Sequence, residues 1–434
     1  MNSAHYHLAG VAGAGMSALA QALLHAGQRV TGSDRYYDAG RPLETLEKLR
    51  AAGVRLVRQD GGGVTPETAG LVVSTAIEAE NADLAAARRL NVPVIHRAEM
   101  LARLLEDKRA VAVTGTSGKS TVTGLIGWML EQAGWNPTVV NGAPVLNWTS
   151  PSAIGNFRPG GELWVFEADE SDRSLLRYRP EWAVITNASS DHFDLESTIE
   201  LFRRFTQQAR KGVVSALDEA EAPAAGEVAH TAAGMRFVYQ GERFDLPLRG
   251  AHNVANALLA IRLCERLGLA PASLRGALQS FRGIQRRLET VGRARSVTVV
   301  DDYAHNPAKV RAAWRALAEG CPRVLGVWRP HGYGPLAHML GELTEAFAEV
   351  CRPQDRLFVL PVFDAGGTAD RSVHAGLLVD RLRERGLAAE EAPEGEELAE
   401  RIAAAARPGD TVAVMGARDP GLPALARRIL AALG

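Results

Sequence analysis

The sequence has little of several features that mark specialised classes of protein. Only three of its 434 residues are cysteine, and Cys264, Cys321 and Cys351 lie far apart, which excludes a disulfide framework and a zinc-ribbon site. The formal net charge is −1, so the chain lacks the basic character of proteins that bind nucleic acid or anionic membranes. No apolar run reaches the roughly 18 residues that a membrane span needs, and the N-terminus has no basic signal-peptide region. We therefore expect a cytoplasmic enzyme without nucleic-acid partners or membrane insertion.

Lysine is also scarce, because only five of the 49 basic residues are Lys and the other 44 are Arg. A lysine inside a motif is therefore less easily explained by chance. What the chain does contain is 46% hydrophobic and 23% charged residues, the composition of an ordered globular protein.

Short apolar runs typical of strands alternate with longer stretches, rich in Ala, Leu and Arg, that are typical of helices. This repeat predicts an α/β protein with mostly parallel sheets, because parallel strands need a crossover connection. The predicted strands are residues 5–10, 29–32, 71–74, 110–113, 164–166, 182–186, 296–300, 324–328, 357–360 and 411–415. Breaks near Lys108 and Arg286 predict three domains, residues 1–107, 108–285 and 286–434, with a β-rich insertion at 226–247.

The first turn from strand to helix carries a glycine-rich loop. Gly10, Ala12 and Gly15 have the spacing of a dinucleotide fingerprint, whose backbone N–H groups approach a pyrophosphate at a helix N-terminus. Asp34 follows the second strand, where a carboxylate can hold a ribose hydroxyl. A tight turn without ligand and a nicotinamide-dependent dehydrogenase are alternatives. The segment of 107 residues is short for a complete dinucleotide domain, which favours the pyrophosphate of a different nucleotide.

The strongest motif follows the predicted strand at 110–113. A glycine-rich turn leads to Gly118, Lys119 and Ser120, and a helix is predicted from Thr121. In such a loop the backbone amides cradle phosphates, the lysine reaches the β- and γ-phosphates, and the hydroxyl ligates Mg²⁺. The loop is a compressed variant, because Val113 stands where the usual pattern has its first glycine.

Two polar segments follow the next predicted strands. Four acidic residues lie within 167–172, and residues 186–192 end in His192. Because the carboxyl ends of parallel strands line ligand sites, we expect both segments beside the phosphate loop, where they would place metal and phosphate. A solvated acidic loop is the alternative for the first segment.

In order and spacing these stretches resemble the Mur ligases, which join amino acids or peptides to a muramyl lactyl carboxylate; alanine-adding and murein-peptide-recycling members are most similar. The resemblance extends over nearly the whole chain. It rests on residues 10–17, 74–77 with Asn81, 97–101, 115–121, 167–172, 186–187 with 191–192, 252–253 with Asn256, 286–287 and 301–305.

The resemblance implies a ligase of peptidoglycan synthesis that uses ATP and Mg²⁺, with two metal ions. ATP would phosphorylate the lactyl carboxylate of UDP-N-acetylmuramate to an acyl phosphate, which the amine of an amino acid, L-alanine first, would attack. It further implies an N-terminal Rossmann-like domain for the UDP-sugar, a central P-loop-type ATPase domain, and a smaller C-terminal Rossmann-like domain. Its substrates would be small molecules.

The resemblance also implies roles for particular residues. The UDP-sugar would be bound by Gly10, Ala12, Gly13, Gly15, Met16, Ser17, Asp34, Ser74 and Thr75. ATP would be bound by Gly115, Thr116, Ser117, Gly118, Lys119, Ser120, Thr121, His252, Asn253, Asn256, Arg287 and Asp302. The implied catalytic residues are Lys119, Glu167, His192 and His305, and the implied metal ligands are Ser120, Glu167 and His192.

The chain departs from the family pattern in its C-terminal domain. Gly332 and Pro335 stand where the alanine-adding pattern has arginines, and Arg329 is the expected substitute. A Mur-type ligase that adds a peptide, or that uses a non-muramyl carboxylate, is therefore an alternative. The dehydrogenase alternative leaves Lys119 and Glu167 unexplained.

The residues implied for one reaction come from three separate segments, so we expect the domains to close when substrates bind. Small-angle scattering with an ATP analogue and UDP-N-acetylmuramate should show a smaller radius of gyration than the free protein. An unchanged radius with both ligands bound would contradict this expectation.

Overall fold

The structure is a computed structural model that describes residues 3–189, 193–218, 222–231, 233–364, 371–417 and 419–434. The chain forms two compact units. The first comprises residues 1–229, 236–247 and 252–284, and the second comprises residues 230–235, 248–251 and 285–434.

The first unit begins with a five-stranded, fully parallel sheet in the order β3-β2-β1-β4-β5. Its elements are β1 (His5–Ala9), α1 (Ala14–His25), β2 (Arg29–Ser33), α2 (Arg35–Asp38), α3 (Glu44–Ala51), β3 (Arg55–Val57), β4 (Thr68–Val73), α4 (Ala82–Leu90), β5 (Val94–His96) and α5 (Arg97–Leu104). The direction of strand order reverses between β1 and β4. The carboxyl ends of these two strands therefore form the kind of crevice at which open α/β sheets bind ligands.

A second, six-stranded sheet follows in the order β11-β10-β6-β9-β7-β8, parallel except for the pair β7–β8. Its elements are β6 (Arg109–Thr114), α6 (Lys119–Gln132), β7 (Thr138–Val140), β8 (Phe157–Arg158), β9 (Leu163–Glu167), a 3₁₀ turn (Ser174–Arg177), β10 (Trp182–Ile185), α7 (Leu195–Thr206) and β11 (Gly212–Ser215). Strand β6 lies between β9 and β10, so both polar segments start beside the phosphate loop, as the sequence predicted.

A small three-stranded sheet and two helices complete this part of the chain. They are β12 (Val228–His230), β13 (Met235–Tyr239), β14 (Glu242–Leu246), α8 (Ala251–Arg266), a 3₁₀ turn (Pro271–Leu274) and α9 (Arg275–Gln279). The indole of Trp128 on α6 donates a hydrogen bond to the Ala277 carbonyl at 2.9 Å, which joins α9 to the helix that begins at the phosphate loop.

The second unit contains a six-stranded sheet in the order β15-β16-β20-β17-β18-β19, parallel except for the hairpin β15–β16. Its elements are β15 (Glu289–Ala294), β16 (Val297–Asp302), α10 (Pro307–Ala318), β17 (Val324–Arg329), α11 (Tyr333–Val350), β18 (Arg356–Val359), α12 (Ala375–Glu384), β19 (Ala389–Glu391), α13 (Glu396–Ala405), β20 (Thr411–Gly416) and α14 (Leu422–Leu433). Val327 and Trp328 belong to cores on opposite faces, which is why the strands are apolar throughout.

The fold class predicted from the sequence is confirmed. Each predicted strand is present, and the insertion at 226–247 contains the small sheet β12-β13-β14. Helix α6 begins at Lys119, two residues earlier than predicted. Within the described ranges, every helix is too short or too polar to cross a membrane.

A buried asparagine joins the two sheets of the first unit. Asn156 is 1% exposed, and its Nδ2 donates to the Ala14 carbonyl and to Ser17 Oγ, both at 2.9 Å. Its Oδ1 accepts a bond from Gln21 Nε2 at 3.1 Å. This side chain therefore sets the position of the first turn of α1 relative to the second sheet.

Replacing Asn156 with Ala leaves buried partners unsatisfied, so we expect Asn156→Ala to lower the stability of the first unit by about 2 kcal/mol. Asn136→Ala is a suitable control, because the Asn136 side chain is exposed and a surface change of this kind costs less than about 0.5 kcal/mol. Thermal unfolding of both variants should show a lower midpoint for Asn156→Ala alone. Equal midpoints would show that the buried bonds contribute nothing.

Candidate active site

The phosphate loop between β6 and α6 depends on two glycines. Gly115 has φ +136° and Gly118 has φ +83°, backbone conformations that residues with a Cβ rarely adopt. A Cβ on Gly115 would overlap the Thr186 hydroxyl, and a Cβ on Gly118 would lie 2.5 Å from Asn256 Oδ1. The loop therefore lies directly against the end of β10 and the beginning of α8.

The residues after β10 hold the loop from one side. Thr186 Oγ1 and Asn187 Nδ2 donate to the Ser117 carbonyl at 2.5 and 2.9 Å, and Asn187 Oδ1 accepts from the Ser117 amide at 3.0 Å. The Ser189 amide donates to Thr116 Oγ1 at 3.0 Å. These bonds fix the loop backbone before any ligand binds, so its amides need little reorganisation when a phosphate arrives.

Lys119 is paired with a carboxylate in this structure. Its Nζ donates to Glu170 Oε2 at 2.5 Å and to the Gly115 carbonyl at 2.9 Å. Glu170 is 3% exposed, and this burial raises the pKa of its carboxyl above the usual value. Burial is also the largest single influence on the neighbouring Asp169, but the charges of Lys119 and Arg97 and the hydrogen bonds from Ser171 together outweigh it, so the pKa of Asp169 is lowered. A phosphate that binds Lys119 must compete with Glu170.

Ser120 and Glu167 meet at the same edge of the sheet. Ser120 Oγ donates to Glu167 Oε2 at 2.7 Å, and the Gly142 amide donates to the same oxygen at 2.9 Å. A Cβ on Gly142 would lie 2.5 Å from this oxygen, so the glycine lets the backbone approach closely. Asn141 Nδ2 binds the Ser120 carbonyl at 3.1 Å.

A hydroxyl and a carboxylate are hard oxygen donors, and Mg²⁺ is commonly held by one or two such protein groups together with phosphate and water. The pair Ser120–Glu167 therefore fits a magnesium ion bound together with a nucleotide. In the part of the chain that the structure describes, no group of three or more His, Cys, Asp or Glu could hold a metal by itself. His192, the third implied ligand, lies outside the described residues, together with Asp191.

The first turns of α8 bring two of the implied ATP residues to the loop. Asn253 and Asn256 are both 6% exposed, and Asn256 Nδ2 donates to Asn253 Oδ1 at 3.2 Å. His252, by contrast, lies on the exposed side of the same helix. The structure therefore brings Asn256 to the phosphate loop, while the roles of all three residues toward adenine stay predictions.

The N-terminal glycine loop is shaped by Asp34. Its carboxylate accepts hydrogen bonds from the amides of Ala12 and Tyr36, both at 3.0 Å, and so supports the loop and caps α2. Gly10, at φ +71°, ends β1, and its amide donates to the Ser33 carbonyl at 2.9 Å. The predicted role of Asp34 toward a ribose stays a prediction, beside this structural role.

The other residues predicted to bind the UDP-sugar lie around the same crevice. Gly13 is the N-cap of α1, Gly15 lies in its first turn, and Ser74 and Thr75 follow β4. Met16 and Ser17 are buried, and Ser17 Oγ donates to the Ala14 carbonyl while it accepts from Asn156. The Ser17 hydroxyl is therefore already engaged within the protein.

Two implied ATP residues belong to the second unit. Asp302 is buried, and its two oxygens accept 2.7 Å bonds from the amides of Leu288 and Ala304. The Arg287 guanidinium lies over the Tyr303 ring, 5.4 Å from its centroid. Asp302 therefore holds the turn after Arg287 in place through these hydrogen bonds.

His305 follows β16 and is neutral near pH 7, because burial lowers its pKa to about 4. Its Nδ1 lies 2.8 Å from the Tyr303 carbonyl, which can only accept, so Nδ1 carries the proton and Nε2 has the lone pair. The ring packs edge-on against His331 at 4.9 Å between centroids.

The structure does not favour Arg329 as the substitute for the arginines that Gly332 and Pro335 replace. Its guanidinium is 14% exposed and donates to Asp419 Oδ2 at 2.9 Å and to Glu394. Two carboxylates already neutralise this cation, so a third would bind it weakly.

Sequence reasoning assigned no role to three residues that the structure brings to the site. They are Glu170, which binds Lys119; Asn141, which follows β7; and Arg97, which binds Asp169 at 3.0 Å. The short apolar run 138–140 before Asn141 was a usable signal that the predicted strands do not include, but the partners of Glu170 and Arg97 depend on tertiary contacts.

Three family models match the chain. The models for the Mur ligase family catalytic domain, the Mur ligase middle domain and the Mur ligase glutamate ligase domain match residues 5–109, 113–202 and 286–418. The chain belongs to the Mur ligase family, a class of ATP-dependent, ADP-forming enzymes that make amide bonds. It has the three-domain α/β architecture of that family.

Named relatives are similar over nearly the whole chain. UDP-N-acetylmuramate–L-alanine ligase of Gloeobacter violaceus is 35% identical, covering 95% of this chain and 92% of the relative. The enzyme of the same name from Rhizobium meliloti is 32% identical, covering 95% and 93%. This family membership leaves the dehydrogenase alternative without support.

Solved structures share the fold. UDP-N-acetylmuramate-alanine ligase from Thermotoga maritima superposes with a TM-score of 0.81 at 23% identity, covering 98% of both chains. A murein peptide ligase from Psychrobacter arcticus superposes with a TM-score of 0.67 at 21% identity, covering 100% and 99%.

Two glycines at the ends of α6 allow a matched test of the phosphate loop. Gly118 and Gly134 have similar φ values of +83° and +82°, but only Gly118 has a close neighbour. Gly118→Ala and Gly134→Ala should each cost about 1 kcal/mol of backbone strain. We expect Gly118→Ala alone to weaken ATP binding at least tenfold, measured by calorimetry. Equal ATP affinities in the two variants would contradict this reading of the loop.

Proposed function

We propose that this protein joins L-alanine to the lactyl carboxylate of UDP-N-acetylmuramate with conversion of ATP to ADP and phosphate, in the cytoplasm, as a step of peptidoglycan synthesis. The observation that carries the proposal is the meeting of Lys119 and Ser120 with two carboxylates, one at the end of β9 and one in the segment that follows it. Relatives that bear the name of this reaction, at 32–35% identity, support the choice of substrates.

The three segments divide the work in this proposal. Residues 1–107 bind the UDP-sugar at the crevice beside β1 and β4, and residues 108–285 bind ATP at the phosphate loop. Residues 286–434 bring the amino acid. A carboxylate is a poor electrophile, so its phosphorylation is what makes attack by an amine possible.

The chain's own charges must overcome repulsion between the two anionic reactants. Lys119 leaves Glu170 and binds the transferring phosphate, where its charge stabilises the transition state. Ser120 and Glu167 hold Mg²⁺, and His192 is the proposed ligand of a second ion. Bound magnesium supplies further positive charge at the phosphate oxygens.

The amine must lose a proton before or during its attack on the acyl phosphate. His305 is a weak base because burial lowers its pKa to about 4, so its role is to accept a hydrogen bond from the amine through the lone pair of Nε2 while the proton passes to solvent. We propose that His305 lies beside the incoming amino acid in the complex.

The direct test measures ATP-dependent phosphate release with UDP-N-acetylmuramate, Mg²⁺ and each amino acid in turn, with products identified by mass spectrometry. We expect release only when the sugar nucleotide and L-alanine are both present, and a product that carries one alanine. Release with a different amino acid would correct the donor, and no release with any amino acid would overturn the proposed reaction.

Lys119→Ala tests the assigned site in the same assay. The variant should lose turnover by about a hundredfold or more, yet bind UDP-N-acetylmuramate normally. Lys108→Ala is the control, because Lys108 forms a pair with the exposed Glu162 at 3.0 Å and should leave turnover unchanged. Wild-type turnover by Lys119→Ala would remove the central assignment.

A second candidate is a Mur-type ligase that adds a peptide. It is favoured by the departure of the C-terminal domain from the pattern of alanine-adding ligases. Gly332 and Pro335 replace expected arginines, and Arg329 is neutralised by Asp419 and Glu394. If no single amino acid supports phosphate release, murein peptides tested as donors distinguish this candidate from an inactive protein.

A further inference from the structure

Arg97, the first residue of α5, reaches from the glycine loop of α1 to the segment after β9. Its Nη1 lies 2.9 Å from the position that a Cβ on Gly15 would take, and its Cζ and Cδ lie 3.5 and 3.8 Å away. The side chain therefore lies along the first turn of α1, in close contact with Gly15. The other end of the guanidinium donates from Nη2 to Asp169 Oδ2 at 3.0 Å.

The pair Arg97–Asp169 repeats the arrangement of the pair Lys119–Glu170. In each pair a cation from a neighbouring element binds a carboxylate of the segment after β9. The two carboxylates are consecutive in the chain, so their Cα atoms are about 3.8 Å apart. The two cations are therefore bound by consecutive residues at the carboxyl edge of the second sheet.

The reaction requires two anionic groups to meet at one place. The γ-phosphate of ATP binds at Lys119, where it replaces Glu170. The acceptor must then present its carboxylate next to that phosphate, while its nucleotide lies at the glycine loop of α1. Arg97 touches this loop through Gly15 and the second sheet through Asp169.

Both groups of this pair are accessible to a ligand. The Arg97 and Asp169 side chains are 25% and 33% exposed, in contrast to Glu170 at 4%. A guanidinium presents a planar fork of N–H donors that matches a carboxylate, and Asp169 shows that a carboxylate fits at this position.

We propose that Arg97 binds the carboxylate of the acceptor and orients it for phosphorylation, and that Asp169 occupies this position until the acceptor arrives. This inference rests on the proposed function, because it takes UDP-N-acetylmuramate as the acceptor. It assigns to Arg97 the recognition of the acid group, and leaves recognition of the pyrophosphate to the backbone of the α1 loop.

Two nucleotide sugars separate these contributions. UDP-N-acetylglucosamine has the same pyrophosphate but lacks the lactyl carboxylate. Calorimetric titration of Arg97→Ala should show UDP-N-acetylmuramate binding weakened at least about tenfold, and UDP-N-acetylglucosamine binding unchanged. Arg97→Lys should recover part of the loss, because it restores the charge without the fork.

Two further variants exclude a merely structural role. Arg177→Ala is the matched control, since Arg177 also joins α5 to the segment after β9, through Glu99 at 3.5 Å, and should change neither affinity. Asp169→Asn removes the competing carboxylate, so it should bind UDP-N-acetylmuramate at least as tightly as the wild type does. If Arg97 serves only to join α5 to the segment after β9, Asp169→Asn should instead weaken the binding of UDP-N-acetylmuramate, as Arg97→Ala does.

The outcomes that overturn the inference are distinct. Equal loss of both nucleotide sugars in Arg97→Ala would assign Arg97 to the pyrophosphate or to the fold, and no loss would remove it from the site. Wild-type protein that binds UDP-N-acetylglucosamine but not UDP-N-acetylmuramate would overturn the proposed acceptor itself, and the inference with it.

Discussion

The parallel pairing of β6 with β9 on one side and β10 on the other is the constraint on which the site depends. It brings the carboxyl ends of three strands to one edge, so the phosphate loop, the acidic segment and Thr186–Asn187 become neighbours. The close approach at Gly115 and Gly118 follows from this pairing, because the loop must fit between the end of β10 and α8. Without this strand pairing, the same residues would be separated by up to about seventy positions of chain and would not form one site.

The cationic side chains at this edge of the sheet form ion pairs with carboxylates before any substrate binds. Lys119 with Glu170 and Arg97 with Asp169 satisfy charges that would be costly to bury alone. In the proposed reaction each pairing holds its cation where an anionic ligand would bind, so ligand binding would exchange one anion for another instead of ordering a mobile side chain. The Ser120–Glu167 bond acts in the same way for a metal, since both oxygens already converge.

In the second unit, His305 matches the family motif, whereas later residues of the same unit depart from the family pattern. His305 is partly buried and neutral, and its ring packs against His331. Around it, Arg329 is bound by Asp419 and Glu394, and Gly332 begins α11 where a longer side chain was expected. The residues of the phosphate loop thus match the family motif in the first unit, whereas the second unit departs from the family pattern at Gly332 and Pro335.

The sequence by itself determined ten strands, the α/β class, the phosphate loop and the resemblance to Mur ligases, because period-2 and period-3.6 patterns and glycine spacing are local properties. Only the tertiary structure decided which side chains are already engaged: Asp34 within its own loop, Ser17 with Asn156, and Arg329 with two carboxylates. It also decided the partners of Glu170 and Arg97, which lie 51 and 72 positions from the residues they bind. The physical reason is that a charged side chain reports its residue type in the sequence, whereas its partner is set by strand order and packing between distant segments.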